Sequence, residues 1–170
     1  MNLSSFAAIV VSLAACLTDL RWRRIPNVLT LGSAAAALLV HGAMGGTAGL
    51  GRAAAGWAVG LVLFLPIFAL RGIGGGDVKL LAALGAWIGP MPAVWLALWT
   101  ALAGGVFAVV VAGMRGYTGQ AARNVWGMLS YWRVMGLQPH PGVTLESSPG
   151  PRLPYSLPIA AGLGLTLWLG

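Results

Sequence analysis

Residues 3–27 read LSSFAAIVVSLAACLTDLRWRRIPN: an unbroken apolar run, then one acid, then three arginines and a proline. The run predicts a membrane helix over residues 3–18. It has no basic residue before it and no small-residue cleavage site after it, so the expectation is a retained first helix rather than a signal peptide. Asp19 precedes Arg21, Arg23 and Arg24 and is expected on the last turn of that helix, facing the negative end of the helix dipole. Ile25-Pro26-Asn27 then breaks the chain and opens a second helix.

The rest of the chain has the same character. Of its 170 residues 58% are hydrophobic and 8% charged, against about 25% charged in soluble domains. Mean hydropathy is +0.85. The expectation is one all-α polytopic membrane domain covering residues 1–170. Apolar segments fall at 3–18, 28–41, 53–70, 78–88, 93–113 and 153–169. Since a spanning helix needs about 20 residues, the segments at 3–18, 28–41 and 78–88 must borrow turns from their flanking motifs. Val125, Met128, Leu129, Trp132 and Met135 recur at helical spacing in the long connection 114–152, predicting an interfacial helix there. The Pro/Gly-rich remainder of that connection reads as irregular chain.

Charge supplies the topology. Of ten positive residues, nine (Arg21, Arg23, Arg24, Arg71, Lys79, Arg115, Arg123, Arg133 and Arg152) lie in the first, third and fifth connections of a six-helix chain, and Arg52 alone lies elsewhere. Positive charge collects on the cytoplasmic side, so six spans place those connections in the cytoplasm and both termini outside. The net charge of +7 is therefore topological. No basic run is interleaved with solvent-facing aromatics, and no nucleic-acid partner is expected. Trp22, Trp87, Trp126, Trp132 and Trp168 fall near the expected interfaces, as aromatic belts do.

The chain has three carboxylate side chains, Asp19, Asp77 and Glu146. An acid at the edge of a membrane segment is costly and is rarely kept without a use. Topology puts Asp19 and Asp77 on one face although 58 positions separate them. Two carboxylates in a poorly solvated site share a proton, and such a pair can activate water against a peptide bond. Glu146 reads as a connection residue. The lone Cys16 excludes an internal disulfide and a cysteine metal cluster. His41 is expected on the opposite side from the acids and His140 in the irregular stretch, so no serine–histidine–acid set forms. No metal or other cofactor is expected.

Plainer readings stand beside these. In Gly72-Ile73-Gly74-Gly75-Gly76-Asp77-Val78-Lys79, Asp77 can simply cap the next helix. The glycines can supply unusual backbone conformations or close approach for an extended substrate. Asp19 can simply pair with an arginine. Tyr155, between Pro154 and Pro158, can be an interfacial anchor. A non-catalytic scaffold or small cation-binding transporter, with Asp19 and Asp77 as ligands or as partners of Arg24 and Lys79, is the alternative from another class. An intramembrane protease acting on other proteins is a third.

Three ordered motifs carry a resemblance. Asp19 followed by Arg-x-Arg-Arg-Ile-Pro-Asn, Gly-x-Gly-Asp-x-Lys at 74–79, and Leu-Pro-Tyr-x-x-Pro-Ile at 153–159 resemble the type IV prepilin peptidases, membrane aspartyl proteases of the Gly-x-Gly-Asp class. The resemblance implies removal of a basic leader from prepilins or pseudopilins, just cytoplasmic of the substrate's hydrophobic helix. Asp19 and Asp77 match the two catalytic aspartates. Gly74, Gly75, Gly76, Lys79, Arg24, Pro26, Asn27, Pro154 and Tyr155 are expected to shape the site or bind substrate. The chain is similar to the short form associated with tight-adherence pili, lacking the family's paired-cysteine region, which implies no methyltransferase activity. Partners implied are a prepilin-type substrate and the lipid bilayer. Because leader and cytoplasmic connections are both basic, recognition is expected to rest on packing of the substrate's apolar helix rather than on steering.

Overall fold

The structure is a computed structural model that describes residues 2–136, 138 and 154–169. The described residues form six helices: α1 (Leu3–Trp22), α2 (Asn27–Ala69), α3 (Gly75–Ile88), α4 (Pro90–Met114), α5 (Thr118–Met135) and α6 (Ser156–Leu169). Among them no strand occurs. The helix expected in the long connection is α5, and none of its residues is buried. His140, Glu146, Arg152, Leu153 and the proline-rich stretch between 139 and 153 lie outside the described residues.

Boundary chemistry explains where the helices begin and end. Asn2 caps α1, its Oδ1 accepting the Ser5 N–H at 2.8 Å and the Ser5 hydroxyl at 2.6 Å. Arg23, left-handed at φ 53°, closes the other end by donating its N–H to Asp19 O at 2.8 Å. The helix thus takes in Asp19–Trp22, the borrowed turn the short apolar run required. Pro26 is the N-cap of α2 rather than its first residue.

The segments expected at 28–41 and 53–70 are two arms of α2. The hydrogen-bonded pattern runs through the connection expected between them and breaks only at Gly46, at φ 57° and ψ −146°. A straight helix of 43 residues would reach about 65 Å, twice the hydrocarbon thickness of about 30 Å. Instead the chain doubles back at Gly46. A Cβ on Gly49 would sit 2.1 Å from the His41 carbonyl oxygen, a contact that a straight helix forbids across eight residues.

The central helix is α3, which packs against α1, α2 and α4 and buries every residue from Leu80 to Ile88. Its approach to the second arm of α2 is backbone on backbone. A Cβ on Gly56 would stand 2.1 Å from Gly85 O, and one on Gly60 would stand 2.5 Å from Leu81 O. Lipid offers no hydrophobic drive between helices, so small residues that allow such contact hold a membrane bundle together. The helices α1, α2 and α4 are long and apolar enough to cross a bilayer. With 14 residues each, α3 and α6 reach only about 21 Å. The described residues form an all-helical membrane bundle.

α1 and α3 run antiparallel, which gives the bundle two chemically distinct ends. At one end His41 Nε2 lies 3.4 Å from Ser4 Oγ and 3.2 Å from Trp87 O. The end of α1 and the start of α3, which carry Asp19 and Asp77, form the other.

Candidate active site

Asp19 is buried, with 8% of its surface exposed. Helical spacing puts Cys16 and Asp19 on one face of α1, and that face meets the start of α6. Ser156, fully buried, donates its hydroxyl to Asp19 Oδ2 at 2.6 Å. The Cys16 thiol donates to Ser156 O at 3.2 Å.

Asp77 lies one residue before the apolar segment that begins at Val78, and it is half-buried. It is the third residue of α3, and Gly74 is the N-cap. Asp77 is therefore not the cap itself. Its carboxylate reaches back to the Gly74 amide, the reciprocal half of a capping box. Burial, and then the charge of Asp19, push the Asp77 carboxyl up to about 7, against the opposing Gly74 hydrogen bond. The charge of Asp19 thus reaches Asp77 through space, although the two are far apart in sequence.

The remaining residues singled out by sequence divide into two sets. The structure brings Asn27 and Lys79 together beside the acids, with Lys79 Nζ donating to Asn27 Oδ1 at 2.9 Å on the exposed surface. Tyr155 is near enough to Asp77 for their charges to interact, and its hydroxyl packs over Gly104, where a Cβ would lie 2.8 Å away. Tyr155 therefore faces α4 and the acids, which a simple interfacial anchor does not. Pro154 takes the Leu157 N–H at 3.3 Å and so starts α6. Arg24 and Pro26 are exposed in the connection between α1 and α2.

The glycines behave differently from one of their expected uses. None of Gly74, Gly75 and Gly76 has a positive φ, and Gly75 and Gly76 are helical. Their missing side chains matter for contact. A Cβ on Gly76 would stand 3.3 Å from Ile25 Cβ, one on Gly75 3.4 Å from Phe68 Cε2, and one on Gly74 3.1 Å from Asp77 Oδ2. Gly76 is what lets Ile25, in the connection between α1 and α2, lie on the start of α3, beside Asp77.

Ser156 is the site residue that sequence reasoning passed over, as an unassigned position of the 153–159 motif. A buried-site hydroxyl beside two prolines at a helix start is a weak signal, and only its partner across the bundle reveals it. Among the described residues no group of three or more His, Cys, Asp or Glu could hold a metal.

The fold and this end of the bundle define a class: a helical membrane protein with two interacting carboxylates at one end of its core. The sequence profile of the Type IV leader peptidase family matches residues 6–109, which include both aspartates and more than half of the chain. The chain belongs to that family and is a leader-peptidase-type protease. Comparison with curated proteins and with solved structures gave no significant match.

Proposed function

We propose that this chain is a prepilin peptidase that uses Asp19 and Asp77 to hydrolyse the bond between a basic leader and the apolar helix of a prepilin or pseudopilin. The observation that carries the reading is the packing of α1 on α3, which gathers two acids distant in sequence at one end of the bundle, inside a family of proteases. One acid, ionised, takes a proton from water. The other, protonated, polarises the scissile carbonyl while the hydroxide adds to its carbon. The proton taken from water then passes to the leaving amine as the C–N bond breaks. No metal or cofactor enters these steps.

Six crossings, with the two arms of α2 counted separately, and the charge distribution support an inner-membrane protein whose termini face outward and whose acids face the cytoplasm. Prepilin leaders lie on that side. The scaffold reading is weaker, because the partner that holds Asp19 is a neutral hydroxyl and Lys79 meets Asn27. Incubation of the reconstituted protein with a prepilin tests the proposal. The expected product begins just before the substrate's apolar helix, as read by mass spectrometry. A cut inside that helix would indicate an intramembrane protease of other specificity. Shortening the substrate's apolar helix should depress cleavage steeply.

A further inference from the structure

The aspartate pair does not by itself say which acid takes the proton from water. The partners of the two carboxylates differ. Facing an ionised carboxylate, a serine hydroxyl can only donate, and an O–H···O separation of 2.6 Å is that of a charge-assisted bond. Such a donor favours the ionised form of the acid that accepts it. Ser156 has no exposed surface, so water does not compete for this bond. Its carbonyl also receives the Cys16 thiol, so the serine is gripped twice by the face of α1 that carries Asp19. Being the first residue of α6, Ser156 also brings the positive end of that helix dipole towards Asp19.

We infer that Ser156 is a positioning residue that keeps Asp19 ionised as the general base, with Oδ2 held and Oδ1 left for water, and thereby assigns Asp77 as the proton-bearing acid. The inference rests on the proposed aspartate-pair function and deepens it. Two features oppose it, and both are weaker. The C-terminal end of α1 disfavours charge on Asp19, but that effect is a dipole's rather than a direct bond's. The Gly74 amide favours charge on Asp77, but burial and the neighbouring Asp19 charge outweigh it, as the upward displacement of the Asp77 carboxyl shows. Nothing about Ser156 follows from the family match, which ends at residue 109.

The test is steady-state cleavage of a prepilin peptide by the full chain in proteoliposomes, from pH 4 to 9, for wild type, Ser156→Ala, Ser156→Thr, Asp19→Ala and Asp77→Ala. Loss of a hydrogen bond to a charged group should lower kcat about tenfold in Ser156→Ala, with KM little changed. It should also move the acid limb of the profile to higher pH, because Asp19 then ionises less readily. Ser156→Thr, which keeps the donor, should restore both. An acid limb that stays in place in Ser156→Ala, or an effect confined to KM, would reduce the serine to a latch between α1 and α6 and overturn the inference. Cleavage by Asp19→Ala or Asp77→Ala would instead overturn the aspartate-pair reading beneath it. Should Ser156→Ala fail to accumulate, Ser156→Cys, similar in size and a weaker donor, carries the same comparison.

Discussion

The rate of leader cleavage should fall as pH rises through about 7, and the cause is the proton on Asp77. Burial and the Asp19 charge keep that carboxyl protonated to about pH 7, well above the ordinary carboxylate range. If the protonated form polarises the scissile carbonyl, activity follows its population. One unit above a pKa of about 7, about one molecule in eleven keeps the proton, and two units above, about one in a hundred. The alkaline limb of kcat should therefore drop about tenfold per pH unit beyond pH 7.5. Stability has a matching sign. The folded-state pKa is raised, so the unfolded chain releases this proton first. Stability is lost as pH climbs from the unfolded value towards 7, and the full cost remains above it. Asp77→Asn keeps the shape and the bond to Gly74 without the buried charge. Its thermal midpoint should match the wild type only at a pH below the ordinary carboxylate range of about 4, should already exceed it at pH 5, and should exceed it most at pH 8.5. Stopped reactions with a purified prepilin, resolved by gel, measure the first effect. Melting in detergent across the same pH series measures the second. A rate flat from pH 6 to 9, with no divergence of the two melting curves, would refute the reasoning.

Other outcomes follow from packing. Gly56→Ala drives a methyl into the Gly85 carbonyl and should cost on the order of 1–3 kcal/mol, seen as a lowered melting temperature. Gly105→Ala, with open space around it, should be neutral, and equal effects would argue against the α2–α3 seam. The Thr100 Oγ1 atom is buried without a hydrogen-bond partner, so Thr100→Val, close in volume, should hold or raise the melting temperature. Lys79→Ala removes an exposed bond to Asn27 and should change stability by less than about 1 kcal/mol. A larger loss by the same melting assay would mean that Lys79 does more in the fold than this bond.

Much of this arrangement is legible in sequence because lipid is an undemanding solvent for apolar runs and a costly one for charge. The apolar segments mark most helix ends to within about a turn, the exception being the second arm of α2, which runs from just past Gly46 rather than from residue 53, and the pattern of positive charge puts Asp19 and Asp77 on one side. The fold-back at Gly46 was not legible, because several glycines lie between residues 42 and 51 and only packing picks the one that turns. The glycines before Asp77 suggest irregular chain, yet Gly75 and Gly76 are helical, since α3 needs the turn to bring Asp77 over the Gly74 amide. Ser156 lay hidden because its meaning depends on a partner 137 positions away. Local pattern says nothing about such pairs.

The most direct test of the central claim is cleavage of one prepilin by wild type, Asp19→Asn and Asp77→Asn, each reconstituted at equal, verified insertion. Asn keeps the volume of Asp and removes the ionisable proton. The account predicts leader removal by the wild type and none by either variant. Undiminished cleavage by either one would contradict it.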